Sequence, residues 1–105
     1  MATLFNYLAE EIHMSEVTVK YFLTFREITG KNQEKIALMS ETNLSQFLKL
    51  LTKKYGKRFE ESVFDHEKKQ LNQYVKILVN EKEVGLMDKL KQDDVVSILF
   101  PPSGG

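Results

Sequence analysis

The residues whose types point to chemistry stand at the end of the chain, where Pro101-Pro102-Ser103-Gly104-Gly105 follows the apolar stretch Val95 to Phe100. Neither proline can donate a hydrogen bond, so the pair ends a β-ladder and sets a stiff, extended exit. Gly104 and Gly105 have no Cβ. They adopt backbone angles closed to other residues and fit a narrow channel. A terminal glycine also presents an unhindered carboxylate. A tail of this kind can be threaded into another enzyme's active site and activated there as an acyl-adenylate. The bland alternative is a frayed or idle terminus.

No catalytic constellation appears elsewhere. His13 and His66 are isolated in terminal or polar stretches and read as solvated side chains. Asp93-Asp94 reads as a turn rather than a metal pair, because no further ligands cluster near it. There is no Gly-rich phosphate loop. Cysteine is absent, which excludes a disulfide framework, a Cys-ligated zinc site and a thiol nucleophile. Any sulfur chemistry must use sulfur brought by another protein. No metal and no bound cofactor is expected.

The elements that must position the tail are legible in outline. Val17 to Leu23 is rich in β-branched and aromatic residues and reads as a strand. Alternation puts Val17, Val19, Tyr21 and Leu23 inward and leaves Phe22 on the outer face. Thr29-Gly30-Lys31-Asn32 marks a turn. Glu34 to Met39 reads as a second strand, paired as a hairpin with the first. Asn43 is a helix N-cap, with Gln46 completing a capping box. Leu44, Phe47, Leu48 and Leu51 follow at helical spacing, and Tyr55 comes one turn later. Lys49, Lys53 and Lys54 form a solvated face that suits the macrodipole. Gly56 ends this helix, over residues 43–55. Lys57 to Gln73 reads as mostly irregular, with a short helical turn around Phe59 to Phe64. Tyr74 to Val79 is a third strand, Asn80 to Glu83 turns it back, and Leu86 to Leu90 connects. Val95 to Phe100 is the last strand, with Val96, Ile98 and Phe100 on its more apolar face.

The order predicts an α+β fold: a mixed sheet covered by one main helix, the β-grasp (ubiquitin-like) arrangement. The first and last strands are the most apolar and are expected side by side in the centre. At 105 residues the chain holds one domain. That domain is expected over residues 15–105, with the tail at 101–105. Residues 1–14 read as an N-terminal extension. Its Leu4, Phe5, Leu8 and Ile12 lie at helical spacing. It can be a segment upstream of a start at Met14, a helix packed on the domain or its partner, or a membrane-surface helix. The lack of Lys and Arg argues against the last.

Lysine plus arginine balance aspartate plus glutamate at 15 each, which argues against a broad nucleic-acid surface. No apolar run is long enough for a membrane span. A cytoplasmic location fits.

The chain resembles the MoaD family, the small subunit of molybdopterin synthase, particularly its longer archaeal-type members. The resemblance covers residues 17–105. It is carried by VKYFLTFREITG at 19–30, LLTKKYG at 50–56, YVKILVNEKEV at 74–84, LKQDDVVSILF at 90–100 and the closing PPSGG. The family's usual ending has two residues between Pro-Pro and Gly-Gly, whereas Ser103 alone stands there in this chain.

The resemblance implies a mechanism. A MoeB-like enzyme uses ATP to adenylate the Gly105 carboxylate. Sulfur then replaces AMP to leave a thiocarboxylate. The tail next enters the MoaE-like large subunit and gives its sulfur to a pterin precursor. Catalytic machinery lies in the partners, so the chain is a sulfur-bearing subunit rather than an enzyme alone. The family's apolar partner contact falls on Phe22, and on Leu99 or Phe100. Sulfur delivery to thiazole or tRNA, conjugation of Gly105 to protein lysines, and a β-grasp module with an idle tail stand as alternatives. The Pro-Pro ending favours MoaD over the thiazole and tRNA carriers.

Overall fold

The computed structural model describes residues 14–67 and 69–101. Strand β1 is Met14–Tyr21 and is followed by a short helix α1, Thr24–Thr29. Strand β2 is Gln33–Met39, and the main helix α2 is Leu44–Tyr55. A second short helix α3, Lys57–Val63, leads into the two-residue strands β3, Phe64–Asp65, and β4, Gln70–Leu71. Strands β5, Lys76–Val79, β6, Lys82–Glu83, and β7, Val95–Leu99, complete the chain.

The main sheet has the order β2-β1-β7-β5-β6, and β3-β4 form a separate hairpin. β1 runs antiparallel to β2 and parallel to β7, with Tyr21 opposite Ile98. β5 is antiparallel to β7, Lys76 opposite Leu99. The first and last strands are thus the central pair, as their apolar character predicts. The sheet is mixed and α2 covers one face, which is the β-grasp fold. Met14, assigned by sequence to the extension, pairs with Met39 as the first residue of β1.

Burial follows the alternation. Val17, Val19 and Tyr21 of β1 and Val96 and Ile98 of β7 are buried against Leu44, Phe47, Leu48 and Leu51 of α2. The helix starts where the capping box predicts. The Asn43 side chain accepts from the Gln46 amide at 2.8 Å, and the Asn43 amide donates to Gln46 Oε1 at 2.9 Å. Gly56, with φ 89° and ψ −162°, ends α2 and starts α3 in a conformation that suits only glycine. Its amide donates to the Thr52 carbonyl at 2.7 Å, and its own carbonyl accepts from Glu60 at 3.1 Å.

Two sequence expectations are corrected and one gap is filled. Residues 24–29, given no element by the sequence ahead of the turn at Thr29 to Asn32, form helix α1. Residues 57–73 are not mostly irregular but carry α3 and the β3-β4 hairpin. Leu23 is not in the core: β1 stops at Tyr21 and Leu23 is 72% exposed. The cause is local. The chain turns to begin α1, the Phe25 amide donates to the Phe22 carbonyl at 3.1 Å, and the Phe25 side chain takes the buried place beyond Tyr21.

Candidate functional site: the root of the tail

Strand β7 delivers the tail. Val96 and Ile98 face the core, while Val95, Ser97 and Leu99 alternate to the other face and are half-buried. Phe100 lies past the last ladder residue. It is half-buried, and its ring stacks on Phe25 with centroids 5.0 Å apart. Phe25 in turn meets Phe59 of α3 edge-on at 5.8 Å. The chain is therefore anchored up to Phe100 by a row of three aromatic rings. Pro101 follows, exposed to solvent. It has no amide hydrogen to continue the ladder. Pro102, Ser103, Gly104 and Gly105 lie outside the described residues, as does His13.

The three apolar residues expected at the partner contact fall in different settings. Phe22 is 38% exposed and sits at the end of β1, its amide donating to the Ile98 carbonyl at 3.3 Å. It lines a shallow groove of about 420 Å³ together with Lys20, Asn80, Glu81, Val95 and Ser97. Leu99 is on the outward-alternating side of β7. Phe100 turns toward the core side and holds the root through Phe25.

Sequence reasoning passed over Leu23 as a surface residue. It caps α1 with φ 48° and ψ −111°, and its carbonyl accepts from the Glu27 amide at 3.1 Å. A β-carbon makes such angles unfavourable, at a cost on the order of 1–3 kcal/mol. The available signal was Phe25, an aromatic two residues on, competing for the same core position.

On the same side of the helix-covered layer, Glu34 gathers a polar cluster. Its carboxylate accepts from the hydroxyls of Tyr21, at 2.7 Å, and Tyr55, and pairs with Lys54 at 2.5 Å and Lys31 at 3.2 Å. The Glu34 side chain is only 9% exposed. Burial alone would raise its pKa, but the four donors outweigh that and hold the carboxyl down at about 2. Burial, then the Glu34 carboxylate, pushes the Tyr21 hydroxyl well above the usual tyrosine range. The cluster ties the start of β2 to the C-terminal turn of α2 and to the end of β1, which carries Phe22.

The other sequence candidates are structural. Asp93 and Asp94 form a turn, in which Asp94 accepts from the Lys91 amide at 2.8 Å and the Asn80 side chain at 2.9 Å. His66 is exposed beside Glu60 at 3.3 Å. Among the described residues, no helix is long and apolar enough to cross a membrane.

Known proteins share this arrangement. The sequence pattern of the ThiS family matches residues 19–105. Small archaeal modifier protein 1 (SAMP1) from Methanosarcina acetivorans is 33% identical, with a TM-score of 0.69, over 89% of this chain and 99% of that one. A Pyrococcus furiosus protein provisionally named molybdopterin converting factor, subunit 1, is 28% identical, with a TM-score of 0.69, over 84% and 99%. Urm1 from Trypanosoma brucei, 22% identical with a TM-score of 0.68 over 89% and 98%, shows the same fold. No curated protein matches the chain. With its β-grasp sheet and a match that runs through β1, β7 and the glycine tail, the chain belongs to the ThiS family of ubiquitin-like sulfur carriers.

Proposed function

We propose that this chain carries sulfur as a thiocarboxylate on Gly105 and donates it in molybdopterin synthesis, as the small subunit of a molybdopterin synthase. The observation that carries the reading is the tail root. The strand bearing the tail is central and pinned by Phe25 and Phe100, yet the chain is exposed one residue later at Pro101. A rigid base and a stiff proline pair suit delivery of a carboxylate to a distant pocket, because less conformational entropy is lost on insertion.

In a MoeB-like enzyme the Gly105 carboxylate attacks the α-phosphate of ATP, forming the glycyl-adenylate and releasing pyrophosphate. A sulfur donor of the persulfide class then attacks the acyl carbon, and AMP leaves with the bonding electron pair. Reduction of the resulting acyl disulfide by a thiol frees the thiocarboxylate. In a MoaE-like large subunit the thiocarboxylate sulfur attacks an electrophilic carbon of the pterin precursor, an oxygen on that carbon leaves with the bonding electron pair, and water then cleaves the acyl–sulfur bond, leaving the sulfur on the pterin and returning the Gly105 carboxylate. The chain supplies the acyl group and the docking surface, while the partners supply acid–base chemistry.

The choice of molybdopterin as the product is supported by the Pro-Pro ending and by the likeness to the Pyrococcus protein. A second reading is favoured by the likeness to the Methanosarcina modifier: attachment of Gly105 to lysines of other proteins through the same adenylate. Adding one residue after Gly105 tests the shared step. The extended chain is expected to give no ATP–pyrophosphate exchange with an adenylating enzyme that charges the natural chain; undiminished exchange would contradict the reading. Isopeptide-linked Gly-Gly remnants on cellular lysines that vanish with deletion of this gene would move the assignment to the modifier.

A further inference from the structure

The tail is short. Residues 101–105 span at most about 17 Å when fully extended. If Gly105 is to reach a reacting nucleotide, the wall of the adenylating enzyme must close on the surface around Pro101. That surface carries Phe22, 38% exposed, and Leu23, 72% exposed, and across β7 from them Tyr74, 66% exposed, two residues before the Lys76 that pairs with Leu99. Leu23 is held there by its neighbours: the Phe22 amide binds Ile98 of β7, and the Phe25 ring stacks on Phe100 at 5.0 Å. Leu23 therefore lies on the segment that wraps the root of the tail. Of the other exposed apolar residues, Met14, Met39 and Leu50 line a groove at the far end of β1 from Tyr21, and Met87 lies in the connection between β6 and β7.

The fold itself gains little from this leucine. Its side chain is outside the core, and its backbone angles are ones a glycine would adopt without strain. The fold needs the turn, not the side chain. A side chain that adds strain without packing inside its own domain points to a contact outside it.

We propose that Leu23 is a docking residue for the adenylating enzyme, seated against an apolar surface beside the channel that takes the tail. This rests on the reading of Gly105 as the activated group. Burying an exposed leucine there strengthens capture of the free chain, and the chemistry is left to the enzyme.

The test is ATP–pyrophosphate exchange with a MoeB-like adenylating enzyme from the same cell, using the full-length chain with Leu23→Gly, Leu23→Ala and Leu23→Met. The Gly and Ala variants are expected to raise KM about tenfold with kcat unchanged, and Met to retain the natural KM. The Gly variant, relieved of strain, is expected to melt no lower than the natural chain. A merely structural role would instead couple loss of exchange to loss of thermal stability. Unchanged KM in the Gly and Ala variants, with the natural chain charged normally, would overturn the inference alone. A natural chain that supports no exchange would overturn the activation reading and this inference with it.

Discussion

The Glu34 cluster gives a stability prediction with a sign and a size. The carboxyl sits at about 2 in the folded chain against an ordinary value of 4.5. A depressed carboxyl favours the folded state wherever it is ionised. The contribution is full above the unfolded value and is lost as pH falls through the folded one. From that difference it amounts to about 3 kcal/mol, since each pH unit is about 1.4 kcal/mol. Among the groups that hold it down Lys54 comes first, then the Tyr55 and Tyr21 hydroxyls; a hydrogen bond to a charged group contributes about 1.5–3 kcal/mol before the cost of burying the carboxylate is subtracted. Lys31 and Lys54 are each more than two-fifths exposed, so solvent screens their share. Glu34→Gln keeps the shape and removes the charge. It is expected to cost about 2–3 kcal/mol near neutral pH, a sizeable part of a typical domain's stability. Urea unfolding followed by circular dichroism measures it. The gap between the two chains should be constant from neutral pH down to about 5, then narrow steadily toward pH about 2. A gap below about 0.5 kcal/mol at neutral pH, or one that does not change with acidification, would refute the account of the cluster.

Two further outcomes are expected. Phe22→Glu should raise the Kd for the enzymes that accept the tail while moving the unfolding midpoint little, because Phe22 is 38% exposed; loss of the native circular dichroism spectrum would place its ring in the core instead. Asn43→Ala removes the side-chain half of the capping box, the oxygen that accepts from the Gln46 amide, and should destabilise the domain by about 1 kcal/mol, read from the same urea titrations, without affecting adenylation.

Much of the fold was legible in the sequence because its longer elements carry redundant signals. Helix α2 has a capping box, an apolar stripe and a terminal glycine, and all three agree. β1 and β7 are dense in β-branched residues, and that density marked them as the central pair. The short elements carry too few residues to show a period. Helix α1 has six residues, and its one plain mark is Gly30, in the left-handed conformation at its C-terminus with its amide on the Arg26 carbonyl. β3 and β4 have two residues each. Alternation was trusted one step too far at Leu23, where the competing burial of Phe25 bends the chain away from the strand.

The expectation for the tail rests on a different kind of signal. Proline and glycine act through backbone properties that need no tertiary context, so Pro101-Pro102 and Gly104-Gly105 speak directly from the sequence. The surface around them does not. Leu99 and Phe100 are neighbours in sequence with opposite environments, and only the stacking on Phe25 separates them. The same stacking gives the root of the tail a fixed position: three rings hold the chain to Phe100, and the ladder cannot continue through Pro101.

The central claim is that Gly105 carries sulfur. The direct measurement is the intact mass of the chain isolated from its own cell under conditions that preserve acyl-sulfur bonds, with fragmentation to locate the change. A fraction of molecules should show one oxygen replaced by one sulfur, confined to the terminal glycine, made heavier by alkylation at that sulfur and lost on mild hydrolysis. A population that is wholly oxygen-terminated, in cells actively making the cofactor, or a chain that continues past Gly105, would contradict it.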